Sequence, residues 1–175
     1  VLRTFQISQE FESLTVLENL MMVPGNQLGE SILNSWIKSK EIKMEETINL
    51  KKAREVIKFL SLEKLAYEYA GNLSGGQKKL LELGRTMMVE PKIVLLDEVG
   101  AGVNKTLLKK IGDTIIKLNK EFNYTFVMIE HDLDFISRLC SPIVVMAEGS
   151  ILTIGEIDEI KNNNKVIEVY LGRGN

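Results

Sequence analysis

The sequence predicts an α/β protein with a mostly parallel sheet and a separate helical region. Apolar, strand-length runs at residues 93–96 and 124–129 are separated by an amphipathic helical pattern at residues 105–122. Strands that alternate with helices in this way are joined by right-handed crossovers between parallel strands. Residues 14–20 and 45–60 show apolar side chains at helical spacing instead. Sites in such sheets form at the carboxyl ends of the strands.

The composition of the chain limits the classes of protein to which it can belong. The chain has 175 residues, of which 45% are hydrophobic and 26% charged, so it can bury a core and is not a disordered chain. A net charge of −2 disfavours nucleic acid as a partner. The single cysteine, Cys140, excludes an internal disulfide and is interpreted as a small buried hydrophobe. No apolar run reaches the roughly 18 residues that a membrane span requires.

The first half of the chain is predicted to be helical. Thr15 is a predicted N-cap with Glu18 as its capping-box partner, and the proline and glycine at positions 24 and 25 end that helix. Ser74 is the predicted N-cap of a later helix, which a Glu-Pro pair ends. The predicted helices of this region after the first span residues 31–40, 45–60 and 76–89.

The second half alternates strand and helix. The fully apolar strand at 93–96 is typical of a sheet that is covered on both faces. Residues 105–122 form a helix, residues 124–129 the next strand, and a further helix ends near Cys140. Residues 142–146 and 150–154 are predicted to form a hairpin. The chain then continues into a short helix, an Asn-rich turn and an amphipathic segment.

A glycine-rich turn precedes the predicted helix at 76–89. Residues 73–77 read Leu-Ser-Gly-Gly-Gln, so Ser74 supplies a hydroxyl group while Gly75 and Gly76 permit a close approach of the backbone. The start of a helix favours an anion, because its N–H groups and its dipole point outward there. The turn is therefore a candidate phosphate-binding element, with a simple flexible helix cap as the alternative.

Two acidic residues follow the apolar strand. Asp97 and Glu98 lie at the edge of the predicted core, where charge costs free energy unless a cation or donors compensate for it. A nucleotide-bound Mg²⁺ ion would provide that compensation. His131, the only histidine, follows the next strand and is expected to share the site. The alternatives are a solvated carboxylate pair and a structural histidine.

The two motifs, in this order, resemble the signature motif and Walker B of ABC-type ATPases. No G-x-x-x-x-G-K-[ST] sequence, the Walker A loop, occurs in the 175 residues. The resemblance implies a P-loop NTPase-like, mostly parallel sheet with a helical subdomain, and we expect a chain that is truncated at its N-terminus. These residues alone are then expected not to hydrolyse ATP. The segments at residues 3–6, 14–20 and 101–104 look most like the ATP-binding subunits of branched-chain amino acid importers.

The resemblance also implies roles for single residues. Asp97 would hold Mg²⁺ through water, Glu98 would polarise the attacking water, and His131 would contact the γ-phosphate of ATP. Gln6 would contact Mg²⁺ or that water and couple the site to a membrane subunit. The other residues with an implied role in nucleotide binding are Ser74, Gly75, Gly76, Gln77 and Asn104. The first four would act on ATP held by the opposite protomer, and Asn104 would lie in the D-loop.

The resemblance further implies an organisation and partners. The expected regions are a Q-loop region (1–13), a helical subdomain with the signature (14–89), an ATPase core (90–157) and a C-terminal segment (158–175). A homodimer or heterodimer of ATPase subunits would bind membrane permease subunits, so the protein would be cytoplasmic and peripheral on the cytoplasmic face of the cell membrane. Alternatives are lipopolysaccharide export, urea import, an ABC ATPase that moves no solute, and a non-catalytic docking fragment.

Two positions depart from the pattern that the resemblance provides. Val99 stands where the family usually has proline after the catalytic glutamate. Asn104 stands where many ABC proteins have aspartate, although the branched-chain group often has asparagine. The second departure favours that subgroup.

Overall fold

The computed structural model describes residues 2–3, 10–25 and 39–171. The chain divides into two compact units, residues 1–129 and residues 130–175. Gln6 and nearly all of the helix predicted at residues 31–40 lie outside the described residues. Among the described residues, no helix combines the length and the apolar character that crossing a membrane requires.

A parallel sheet forms the centre of the first unit. Its strands are β1 (Leu2–Arg3), β2 (Ile93–Asp97) and β3 (Thr125–Ile129), in the order β1-β2-β3. The register pairs Ile93 with Thr125 and Asp97 with Ile129. The prediction of parallel strands separated by a helix is therefore confirmed, and β2 and β3 end at the same edge of the sheet.

The two faces of this sheet differ in burial. Val94 and Leu96 of β2 are buried, whereas Val127 and Ile129 of β3 are 52% and 62% exposed. The expectation that both faces are covered is wrong for the described part of the chain. An apolar strand sequence indicates that both faces can be buried, but it does not indicate which elements cover them.

The described part of the first unit contains four α-helices, and most of them begin and end at sequence-encoded caps. Their bounds are α1 (Val16–Met21), α2 (Ser39–Phe59), α3 (Gly75–Val89) and α4 (Lys105–Phe122). The capping box of α1 is confirmed, since Thr15 N–H donates to Glu18 Oε2 at 2.7 Å. Helix α3 ends at Glu90, which is left-handed with φ 52°. Helix α2 begins six residues before its predicted start, because the Lys- and Glu-rich residues before position 45 are good helix formers.

Helices α1, α2 and α3 meet at a glycine. A Cβ atom on Gly84 would lie 2.7 Å from Leu60 Cδ1 and 3.2 Å from Leu20 Cδ2. The absence of a side chain therefore lets the three helices approach closely. Leu20 and Leu60 are fully buried at this contact.

A buried amide fixes the segment that precedes α1. Asn19 is fully buried, and its Oδ1 accepts a hydrogen bond from Phe11 N–H at 2.9 Å. Its Nδ2 group lies 3.0 Å from Phe11 O, 3.0 Å from Thr15 O and 3.2 Å from Leu14 O. One side chain thus satisfies the turn at residues 11–15 and holds it against the helix.

The second unit is a hairpin with helices. Its elements are α5 (Leu133–Leu139), β4 (Ile143–Ala147), β5 (Ser150–Gly155), α6 (Ile157–Lys161) and α7 (Asn164–Leu171). The predicted antiparallel hairpin is confirmed, and both turn residues, Glu148 and Gly149, have positive φ. The buried core of this unit consists of Ile143, Val145, Ile160 and Val166.

Candidate functional site

The Ser-Gly-Gly turn forms the N-terminus of α3. Ser74 is the N-cap, and its backbone N–H donates to Gln77 Oε1 at 2.9 Å. Lys78 N–H closes the first helical turn by donating to Ser74 O at 2.9 Å. Ser74 and Gly75 are exposed. The outward-facing start of a 15-residue helix therefore carries the motif.

The two glycines of this turn have different surroundings. A Cβ atom on Gly75 would find only Gly102 O, at an ordinary 3.8 Å. A Cβ atom on Gly76 would overlap Leu107 Cδ2 and lie 3.0 Å from Val103 Cγ1. Gly76 is therefore needed where α3 packs against the start of α4, a requirement that the sequence did not reveal. Gly75 is the glycine that leaves the backbone open to a ligand.

The acidic pair lies at the carboxyl edge of the sheet. Asp97 is the last residue of β2, and Glu98 N–H donates to Ile129 O at 2.9 Å. Glu98 has φ 47°, and its carbonyl accepts a hydrogen bond from Ala101 N–H at 3.2 Å. A left-handed conformation costs a non-glycine residue about 1 kcal/mol and is concentrated at functional sites. Both carboxylates are half-buried.

The carboxylates of Asp97 and Glu98 can be compared with the ligands that a metal ion requires. The described part of the chain has no group of three or more His, Cys, Asp or Glu side chains that could hold a metal by themselves. Mg²⁺ commonly uses only one or two carboxylates and takes its other ligands from phosphate oxygens and water. Asp97 and Glu98 therefore fit a nucleotide-bound Mg²⁺ and do not fit a resident protein-only metal site.

The turn after the acidic pair leads directly into α4. Val99, at the position that departs from the expected proline, is buried and contributes to the core. Val103 N–H donates to Gly100 O at 3.2 Å, and Gly102 adopts φ 70°. Asn104 Oδ1 accepts from Leu107 N–H at 3.0 Å, so Asn104 caps α4.

Sequence reasoning missed an ion pair beside the glycine-rich turn. Lys78 Nζ lies 2.6 Å from Glu10 Oε1, and the Glu10 side chain is only 5% exposed. This hydrogen bond with Glu10 raises the pKa of Lys78. No spacing rule relates residues that are 68 positions apart (78 − 10), so the pair has no signal in the sequence.

His131 belongs to the second unit. Its ring is 75% exposed, and its Nδ1 lies 4.0 Å from Glu130 Oε2. Asp132 caps α5, with its Oδ1 accepting from Asp134 N–H at 3.0 Å. His131 follows β3 by two residues in the chain. Cys140 packs against the core of this unit. Burial raises the pKa of its thiol, and the charge of Glu130 raises it further. Both observations agree with the interpretation of Cys140 as a small hydrophobe.

A parallel sheet whose central strand ends in an acidic pair, together with a helix that begins with Ser-Gly-Gly, agrees with the predicted class of α/β proteins with a P-loop NTPase-like sheet. The sequence profile described as "ABC transporter" matches residues 1–101. The chain belongs to the ABC transporter family, among its ATP-binding proteins.

Two relatives with similar sequences are both described as branched-chain amino acid transport ATP-binding proteins. The chain is 41% identical to the "Probable branched-chain amino acid transport ATP-binding protein LivG" of Archaeoglobus fulgidus, over 98% of this chain and 65% of the relative. It is 33% identical to the "High-affinity branched-chain amino acid transport ATP-binding protein LivG" of Escherichia coli, over 98% of this chain and 68% of the relative. The chain thus spans about two thirds of the length of these relatives.

A solved structure agrees with the fold. The nucleotide-free ATP-binding cassette of an ABC transporter superposes with a TM-score of 0.76 at 41% identity, and the match covers 97% of this chain and 67% of that one. The ADP conformation of another ABC transporter cassette superposes with a TM-score of 0.74 at 37% identity, over 98% and 68% of the two chains.

Proposed function

We propose that this chain is part of the ATP-hydrolysing subunit of an ABC transporter that imports branched-chain amino acids. The observation that carries the proposal is the position of Glu98. Its left-handed backbone is held at the carboxyl edge of a parallel sheet by the hydrogen bond from Glu98 N–H to Ile129 O. The names of the relatives favour branched-chain amino acids over lipopolysaccharide or urea as the solute.

The acidic pair and its neighbours have separate roles in this proposal. MgATP supplies the γ-phosphoryl group, whose transfer to water depends on positioning and on electrostatic stabilisation. Asp97 would hold the Mg²⁺ ion, and Glu98 would orient and polarise the attacking water. His131 would donate to the γ-phosphate, and Gln6 would contact the ion or the water.

The glycine-rich turn acts on the other protomer of a dimer. The exposed Ser74 and Gly75 present a hydroxyl and open backbone at the start of α3, where a phosphate is stabilised. Gln77 and Gly76 keep that turn in place, through the hydrogen bond to Ser74 N–H and through packing on Leu107. We assign Asn104 to the D-loop beside it.

The partners follow from the same assignment. Two ATPase subunits, identical or related, enclose two ATP molecules and dock through the helical region at residues 14–72 on a membrane permease at its cytoplasmic face. The 175 residues alone contain no Walker A sequence and are proposed not to turn over ATP.

The test is Glu98→Gln in the complete subunit. Removing a catalytic base lowers turnover by about 100-fold or more, while binding of ATP is retained. Hydrolysis is measured by phosphate release, and binding by equilibrium dialysis with labelled ATP. Glu121→Gln, an exposed glutamate near the end of α4, is the matched control and keeps full activity. Unchanged hydrolysis by Glu98→Gln would contradict the role of this carboxylate.

A further inference from the structure

A cavity in the first unit is lined by none of the residues assigned to ATP. It has a volume of about 510 Å³ and lies between α2, the end of α3 and the junction of α4 with β3. Ligand-binding cavities in proteins measure about 300–1,000 Å³ and have mostly apolar walls. This cavity therefore has the dimensions of a site for a small molecule.

Aromatic and aliphatic side chains form its walls. Val56 and Met87 are buried in its lining, and Phe122 remains 47% exposed. The rings of Phe59 and Phe122 meet edge to face with centroids 5.7 Å apart, and Tyr124 follows at 6.3 Å from Phe122. Rings that support one another in this way present a fixed apolar surface, which suits a branched or aromatic side chain of a ligand.

The polar groups of the cavity are only partly used. Lys52 Nζ is occupied, since it lies 2.6 Å from Glu90 Oε1 and donates to Met88 O at 3.0 Å. The Tyr124 hydroxyl has no hydrogen-bond partner among the described residues, although the residue is only 5% exposed. A phenol with an unused O–H group is a directional donor for a ligand.

Two charged groups on the rim are also available. Lys51 and Glu55 lie one helical turn apart on α2, and neither forms an ion pair within the described ranges. The lining contains two lysines and two glutamates, so its net charge is zero. A ligand with a single charge can pair with only one of Lys51 and Glu55, whereas a ligand with neighbouring positive and negative groups can pair with both.

We propose that this cavity binds a small apolar α-amino acid. Its side chain packs against Phe59 and Phe122, its carboxylate accepts from the Tyr124 hydroxyl and pairs with Lys51, and its ammonium group pairs with Glu55. This inference goes beyond the proposed ATPase function and does not rest on it, because no residue of the ATP site takes part.

The test uses the 175-residue chain and four small probes. L-leucine and L-phenylalanine carry both charged groups, whereas 4-methylpentanoate and 3-methylbutylamine each carry one. Amide NMR titration is expected to show saturable shifts at the cavity for both amino acids. Each single-charge analogue is expected to bind about 3- to 10-fold more weakly, since each lacks one charged contact.

Variants identify the contacts. Tyr124→Phe removes one hydroxyl and is expected to weaken leucine binding about 3- to 10-fold, and Lys51→Met about 2- to 5-fold. Lys58→Met, on the same helix but outside the cavity lining, is the control and leaves the affinity unchanged. Absence of saturable shifts with millimolar amino acid, equal binding of the analogues, or unchanged affinity of Tyr124→Phe and Lys51→Met would overturn the proposal.

Discussion

The two motifs of the candidate site, the glycine-rich turn at residues 74–77 and the acidic pair Asp97 and Glu98, are held in different ways. The turn depends on side-chain packing, because Gly76 has no space for a Cβ atom beside Leu107. The acidic pair depends on the backbone, because sheet pairing and the hydrogen bond from Glu98 N–H to Ile129 O place it.

This difference decides how each motif tolerates substitution. A site that is held by packing is destabilised when a substitution adds volume. The size of the loss depends on neighbouring residues that are distant in the sequence. A site held by backbone hydrogen bonds tolerates new side chains as long as they accept its φ and ψ angles. Adding side-chain atoms to the glycine-rich turn should therefore lower the stability of the protein, whereas removing side-chain atoms from the acidic pair should not.

The largest expected effect comes from adding a methyl group to the turn. Gly76→Ala is expected to lower the free energy of unfolding by about 2–3 kcal/mol, because Leu107 and Val103 must move. Gly75→Ala, which meets only Gly102 O at 3.8 Å, is the matched control and changes stability by less than about 0.5 kcal/mol. Urea unfolding of both variants measures the difference.

A double variant separates packing from other causes. Combining Gly76→Ala with Leu107→Ala removes the overlapping atoms, so the two changes should couple favourably by about 1 kcal/mol or more. Strict additivity of the two effects would show that the turn is not held by this contact.

The second prediction removes side-chain atoms from the acidic pair. Glu98→Gly is expected to raise the free energy of unfolding by about 1 kcal/mol, since glycine adopts φ 47° without strain. Glu98→Gln keeps the Cβ atom and should leave the backbone strain unchanged. Thermal unfolding compares the two variants, and a destabilised Glu98→Gly protein would contradict the assignment of strain to the backbone.

The third prediction concerns the hydrogen bond within the turn. Gln77→Ala removes the acceptor of Ser74 N–H and should cost about 0.5–1 kcal/mol. Gln77→Glu keeps an acceptor at that position and serves as the control. Equal losses in both variants, measured by urea unfolding, would mean that the hydrogen bond contributes nothing.

The smallest expected effect is a pH dependence at the same helix. The pKa of Lys78 is raised in the folded chain by its hydrogen bond with Glu10. Its contribution to stability is therefore complete below the unfolded lysine pKa of about 10.4 and is lost as the pH rises through the folded value. Lys78→Met and Glu10→Gln should each flatten the alkaline decline in stability, and an unchanged slope in both would exclude the ion pair as its cause.

Elements that depend on local signals could be predicted from the sequence. The capping box of Thr15 and Glu18, the bounds of the helix at residues 105–122, and the hairpin turn at Glu148 and Gly149 are confirmed. The position of Asp97 and Glu98 at a strand end is also as predicted, because a short apolar run followed by charge marks the edge of a sheet. The chemistry of this pair stays a prediction.

Contacts between distant positions could not be predicted. The packing of Gly76 on Leu107 and the pair of Lys78 with Glu10 arise only after the chain has folded. A sequence pattern reports which residues can be buried, and it does not report which partners they meet. The spare donor of Tyr124 in the cavity was missed for the same reason.

The closeness of Gly76 to Val103 also has a consequence for the acidic pair. Two separate backbone hydrogen bonds, from Ala101 N–H to Glu98 O and from Val103 N–H to Gly100 O, hold the short segment between the acidic pair and α4. A Cβ atom on Gly76 would lie 3.0 Å from Val103 Cγ1, which belongs to that same segment. A side chain added at the start of α3 is therefore expected to press on the residues that directly follow Asp97 and Glu98, so this segment is a shared neighbour of both motifs.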